Sequence, residues 1–137
     1  KLDERAIIPT YKTPGSAGFD IHALHGGSVQ AGWRATVDTG LAFEIPEGFE
    51  VQIRPRSGLA DKHGITVLNS PGTIDSDYRG EIKILIINNG FSRFTWMPGE
   101  RIAQGILSPV TQGTFHVKEE LSETERGAGG FGSTGVK

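Results

Sequence analysis

The chain has 137 residues, which suits one domain with its own core and leaves little room for two. Its 14 Lys and Arg against 16 Asp and Glu give a net charge of −2, so there is no global basic field for gripping a nucleic-acid polymer. Cysteine is absent, which excludes disulfide scaffolds, thiolate zinc sites and cysteine nucleophiles. The 20 glycines and 7 prolines argue against a helical bundle, since glycine costs roughly 1 kcal/mol and proline about 3 inside a helix.

Lys1 to Tyr11 is charged and holds only the short apolar run Ala6-Ile7-Ile8, so no targeting signal is expected there. No stretch approaches the roughly 20 apolar residues that cross a bilayer, so a soluble protein, cytoplasmic or otherwise intracellular, with no membrane partner is expected. Along the chain the apolar period is two far more often than 3.6. Strands are predicted at Phe19 to Ala23, Arg34 to Asp38, Leu41 to Ile45 and Glu50 to Arg54, the last alternating cleanly. One short helix follows, with Ser57 as N-cap, Leu59 to His63 as its turns and Gly64 as its stop. Further strands are predicted at Ile65 to Leu68, Ile82 to Ile87, Phe94 to Met97, Arg101 to Leu107 and Phe115 to Val117. The continuous apolar end of Ile82 to Ile87 suggests burial on both faces. Gly26-Gly27, Pro46-Glu47-Gly48, Asn88-Asn89-Gly90 and Pro98-Gly99 read as turns, and Trp33 and Trp96 as packing residues.

These patterns predict an all-β fold, a distorted jelly-roll-like barrel or sandwich with one short helix. The body is placed at residues 1–117. A flexible, glycine-rich C-terminal arm is placed at residues 118–137, charged at first and then running Arg126 to Gly135.

Three segments carry chemistry. In the arm, glycines let backbone N–H groups crowd an anion, Ser133 and Thr134 add hydroxyls and Arg126 adds charge. A plain linker has the same composition, but gains nothing from Phe131. In Arg54-Pro-Arg56-Ser57-Gly58 a strand delivers two arginines to the start of a helix, as in phosphate sites and also in ordinary capped helices. Between Asn69 and Gly80 turn residues bracket a short extended piece, so a hairpin is predicted, with Asp75 and Asp77 on one side and Ile74 and Ser76 on the other. Such carboxylates serve as a general base, bind metal or are merely solvated. Tyr78 offers a platform for a sugar or base. Asp20 reads either as a buried turn carboxylate or as an outer-shell metal partner. His22, His25, His63 and His116 lack metal-ligand spacing, and no serine sits in a nucleophile-elbow pattern.

In order, these segments resemble the five motifs of the homotrimeric dUTPase family: Ala17 to Ala23, Arg54 to Ile65, Asn69 to Ile84, Gly99 to Gln104, and Arg126 to Gly135. The resemblance implies a trimer whose composite sites draw motifs one, two and four from one subunit, three from a second and five from a third. It implies Mg2+-dependent hydrolysis of dUTP to dUMP and diphosphate, which supplies dUMP for thymidylate synthesis and keeps uracil out of DNA. By position, Asp75 activates the attacking water and Asp20 meets Mg2+ through water. Arg56, Ser57, Gly58 and Gln104 cradle phosphates. Asn69, the backbone of Gly72, Thr73, Ile74 and Asp75, and Lys83 read uracil, while Tyr78 packs on the deoxyribose. Phe131 stacks on the base as the arm closes, and Arg126, Gly132, Ser133 and Thr134 clamp the outer phosphates. His22, Gly105, Pro71 and Thr73 depart from the commonest family pattern, Gly105 casting doubt on local packing. Rival readings are a dCTP deaminase, which shares the fold, a nucleotide-sensing protein and a catalytically silent sandwich.

Overall fold

The computed structural model describes residues 1–133 and 135. Its strands are β1 (Phe19–His22), β2 (Gly27–Val29), β3 (Arg34–Asp38), β4 (Phe49–Arg54), β5 (Ile65–Val67), β6 (Gly72–Ile74), β7 (Lys83–Asn88), β8 (Phe94–Trp96) and β9 (Arg101–Pro109). Helix α1 (Ser57–His63) lies between β4 and β5. Three antiparallel sheets form, in the orders β1-β9-β4-β6, β2-β8 and β3-β7-β5. No pair joins strands adjacent in sequence. Such crossing connections build a jelly roll and rule out a meander, so the all-β fold read from the sequence is the fold observed.

The alternation of β4 turns Val51 and Ile53 inward, where they meet Ile21, Val37, Ile65, Ile84, Ile86, Ile102 and Trp96 in one core. Burying an aliphatic side chain of this size is worth about 1.5–3 kcal/mol, so this shared core holds the three sheets together. Gly105 faces the ring of Phe19, which fills the space a larger residue at 105 would take, so local packing there is sound.

Several expectations need correction. Leu41 to Ile45 forms no strand: Leu41 and Ile45 are buried, but the segment joins no ladder, and its alternation records burial alone. Phe115 to Val117 forms none either, and both terminal side chains are fully exposed. Strand β2 begins at Gly27, which the sequence suggested as a turn. A Cβ there would lie 2.5 Å from Cζ2 of Trp96, so the glycine serves close approach of strand and ring. The residues after β5 do not fold back as a hairpin, because β6 leaves the β5 sheet and pairs with β4. β7 buries Ile84 and Ile86 but leaves Leu85 and Ile87 half-buried, so one face alone is fully covered. Trp33 is 70% exposed and does not pack. Arg56, not Ser57, is the N-cap of α1, with no side-chain capping bond.

The last backbone bond from the C-terminal segment to the body is Val110 N–H to the Gly48 carbonyl, 2.9 Å. Beyond it, hydrogen bonds among the described residues are local turns such as Gly127 to Thr124 and Ser133 to Gly130. Phe115, Leu121 and Phe131 stand almost wholly in solvent.

Candidate functional site

Two groups of expected site residues form on the body, at different places. The first is built where β1 and β9 pair. Asp20 lies opposite Gln104, and Gln104 lies opposite Arg54 at the end of β4. The chain then turns Arg56 back, so that its Nε donates to Asp20 Oδ1 at 3.0 Å and its Nη1 to the Arg101 carbonyl at 3.3 Å. Arg101 Nη1 donates to the other Asp20 oxygen at 3.2 Å. One largely buried carboxylate thus orients two guanidinium groups and leaves one positive charge in excess. Gln104 is fixed by a 2.9 Å bond from its Nε2 to the Pro55 carbonyl, its oxygen pressed against Gly18. Ser57 and Gly58 open α1 beside this group, exposed, with open space over Gly58 and amide groups that no helical carbonyl can satisfy.

The Gly99 to Gln104 pattern contains Arg101 but does not single it out. Its proximity to Asp20 depends on an irregularity in the β1–β9 register between Ile21 and His22, which sequence spacing does not display. His22 belongs to the same corner. Burial pushes its imidazole below the usual histidine range, with Asp20 opposing the shift and Lys12, Arg101 and Arg56 adding to it.

The second group follows β5. Asn69 packs its amide over Gly72, where a Cβ would stand 3.2 Å from Asn69 Nδ2. Gly72, Thr73 and Ile74 pair with β4 on one side only, so the other edge of β6 keeps its backbone groups free. Asp75 ends this edge strand, exposed, and has no ion pair among the described residues. With Thr73, Asp77, Arg79 and Glu50 it lines a cleft of about 1050 Å³. Tyr78 folds over Gly80 and donates to the Glu81 carbonyl at 3.1 Å. Lys83 bonds Asp38 at 2.8 Å and Glu81 at 3.3 Å, which raises its ammonium above the ordinary lysine range.

The two groups do not meet within one chain. Ile74 pairs with Val51, so Asp75 stands level with Glu50, six residues before Arg56. Arg54, level with Gln104 and Asp20, is four residues on, roughly 13 Å along the strands. Strand β1 lies three strand spacings from β6, roughly 14 Å across, so the base candidate and the Arg56–Asp20 pair stand roughly 20 Å apart. The arm adds a third group: Arg126, whose Nε donates to the Gly129 carbonyl at 2.9 Å, exposed Phe131, Gly132, and Ser133 against Gly129. Thr134 lies outside the described residues.

The small jelly-roll body thus carries an Arg56–Asp20–Arg101 cluster, a free edge on β6 and, at its end, an Asp75 carboxylate with no ion pair among the described residues. A family model described as dUTPase matches residues 4–135. The chain is 61% identical over 135 residues to the deoxyuridine 5'-triphosphate nucleotidohydrolase of Nautilia profundicola, covering 98% of this chain and 95% of that protein. It is 59% identical over 139 residues to the protein of that name from Chlamydia pneumoniae, covering 99% and 96%. Its fold superposes with a TM-score of 0.90 on the Staphylococcus bacteriophage 80alpha dUTPase with dUPNHPP, at 28% identity, covering 98% of this chain and 95% of that one. The chain belongs to the dUTPase family.

Proposed function

We propose that the chain hydrolyses dUTP to dUMP and diphosphate by attack of water on the α-phosphorus. Family membership makes it an enzyme, a dUTP diphosphatase. The residue roles rest on one observation above all: the Asp75 carboxylate, without an ion pair among the described residues, at the end of an edge strand whose free backbone suits a pyrimidine edge.

Asp75 accepts the proton as the water oxygen bonds to the α-phosphorus. The bond from that phosphorus to the bridging oxygen breaks, and diphosphate leaves with the electron pair. General-base assistance of this kind contributes about a hundredfold to ten-thousandfold. Asn69, the Gly72 to Asp75 backbone and Lys83 read uracil. Cytosine, with donor and acceptor exchanged, leaves those groups unpaired, a penalty of orders of magnitude. Tyr78, held over Gly80, packs on the deoxyribose where a 2'-hydroxyl has no room. Arg56, Ser57, Gly58 and Gln104 meet the phosphates, with Asp20 keeping the guanidinium groups aimed.

Among the described residues no three His, Asp or Glu side chains could enclose a metal ion. That fits Mg2+, which keeps its waters and is carried mainly by substrate oxygens. Both Asp20 oxygens already accept from arginines, so its part in holding the ion runs through water. When bound, the ion neutralises charge on the triphosphate.

Because Asp75 and Arg56 lie about 20 Å apart in one chain, the reading needs sites shared between copies, and the family resemblance makes that assembly a homotrimer. The 118–137 arm closes on a neighbour's site, Phe131 over the base and Arg126, Ser133 and Thr134 on the outer phosphates. The product dUMP feeds thymidylate synthesis, and loss of dUTP keeps uracil out of DNA. The test is diphosphate release from dUTP, dCTP, dTTP and UTP, wild type beside Asp75→Asn. Selective turnover of dUTP that falls about a hundredfold or more in the variant supports the reading. Equal turnover by the variant removes Asp75 as the base.

A further inference from the structure

Tyr78 stands 44% exposed on the loop, residues 75–82, that joins β6 to β7. A ring so exposed tells a hydrogen from a hydroxyl on a sugar only if it is held still. Inside the loop, Tyr78 N–H donates to the Asp75 carbonyl at 3.2 Å. Arg79 Nη1 donates to the carbonyls of Ser76 at 2.6 Å and Tyr78 at 3.1 Å. These bonds shape the loop but tie it to nothing beyond itself.

The side-chain tie to the body is made by Glu81. Its Oε1 accepts from Gly40 N–H at 2.9 Å, and its Oε2 lies 3.3 Å from Lys83 Nζ. Its backbone carbonyl accepts from the Tyr78 hydroxyl at 3.1 Å. On the opposite edge of that planar peptide unit, Ile82 N–H donates to the Leu41 carbonyl at 2.8 Å. All three acceptor oxygens of Glu81 are thus engaged, and its side chain is only 23% exposed, low for a glutamate. Gly40 is a stiff seat. Its φ is +66°, a Cβ there would stand 3.0 Å from Ala6 and 3.1 Å from Leu24, and its carbonyl accepts from Leu2 N–H at 2.8 Å.

We propose that Glu81 is a positioning residue for sugar discrimination: clipped to Gly40, it holds the carbonyl on which the Tyr78 hydroxyl rests and so fixes the ring against a 2'-hydroxyl. The inference rests on the proposed reading of Tyr78 as the wall beside the deoxyribose. Base choice is served by other groups. Asn69 and the β6 backbone receive no bond from Glu81, and Lys83 keeps its 2.8 Å bond to Asp38 without it.

Steady-state hydrolysis of dUTP, UTP and dCTP by the full-length wild type, Glu81→Ala and Glu81→Gln tests the role. In Glu81→Ala the Gly40 amide loses a charged acceptor, and the ratio of kcat/KM for dUTP over UTP should fall about tenfold. The ratio for dUTP over dCTP should hold. Glu81→Gln keeps an acceptor for Gly40 N–H and should retain most of the sugar discrimination. Parallel loss of both ratios would show a merely loosened fold and overturn the proposal. Should Glu81→Ala fail to fold, Tyr78→Phe carries the test, because it deletes only the hydroxyl that Glu81 receives. Its sugar ratio should fall by a similar factor, and an unchanged ratio overturns the proposal. Where both variants fold, the double variant should lose no more than the larger single loss, since the two act through one bond, and additive losses contradict it. A wild type that uses UTP as readily as dUTP removes the sugar role of Tyr78 itself. A discriminating wild type whose ratio Glu81→Ala leaves untouched removes Glu81 alone.

Discussion

His22 brings an imidazole into a corner already crowded with positive charge, and its Nδ1 is buried without a hydrogen-bond partner. Desolvation chiefly, then Lys12, Arg101 and Arg56, hold its pKa below 6.5, while Asp20 pulls the other way. The unfolded chain therefore takes up a proton near pH 6.5 that the folded chain refuses, and unfolding gains as pH falls. Stability from this residue is intact above the unfolded pKa and lost as pH drops through the folded value. His22→Phe removes both the orphan nitrogen and the linkage. The expected outcome is a wild-type melting temperature that falls further behind the variant's between about pH 7 and 5. A constant gap across that range would show that His22 is solvated in the folded protein. Arg101 makes the complementary point about legibility. The Gly99 to Gln104 motif was visible in the sequence, yet which of its side chains would reach Asp20 was decided by an irregularity in the pairing of β9 with β1, the strand farthest from it in sequence.

At the scale of elements, α1 is a seven-residue helix with no buried residue, and its position is fixed chiefly from outside. Gly64 caps it at φ 67°, with its amide bonded to Ala60. A Cβ at Gly64 would lie 2.5 Å from the Gly90 nitrogen and 2.8 Å from its Cα, so the helix end is wedged against the turn after β7. That turn is held by buried Asn88, which donates to the carbonyls of Val29 (3.1 Å) and Ser92 (2.8 Å) and accepts from Gly90 N–H. Gly64→Ala incurs both left-handed strain and backbone collision, so urea unfolding should show a loss of about 2 kcal/mol or more. Ser57, Gly58 and Arg56 shift with the helix, and the variant's KM for dUTP should rise as well. The stop at Gly64 was legible because a left-handed cap has a residue-type signature. The N-cap was not, since Arg56 caps through backbone geometry without a side-chain bond. For the same reason Leu41 to Ile45 looked like a strand. Alternation reports which side chains are buried, whereas a strand also needs a neighbour for its backbone, and sequence is silent on the neighbour. β6 failed in reverse: three residues ending in Ile74 carry almost no period, and only the long-range pairing with β4 makes them a strand.

At the scale of the whole molecule, the body and the arm are energetically separate within one chain. No hydrogen bond among the described residues links the segment beyond Val110 to residues 1–109, and Phe131 buries nothing. Among the described residues, removing Arg126 to Lys137 therefore subtracts no core contact and no ladder bond. Circular dichroism and the unfolding midpoint of the shortened protein should match those of the full chain. Function should separate from stability at this cut. The body alone offers Asp75 and the Arg56 group with nothing to cover a bound nucleotide, so water has access and the triphosphate is free to turn. Positioning and closure are worth several kcal/mol in reactions of this type, so turnover of dUTP should fall about a hundredfold or more while the fold is untouched. A shortened protein that keeps full turnover would show that the glycine-rich segment is a linker. One that loses its fold would show that the arm belongs to the core of the assembly. The intermediate result, loss of turnover in an intact body, is the one expected if, as proposed, groups that stand about 20 Å apart in one chain are brought together by separate chains.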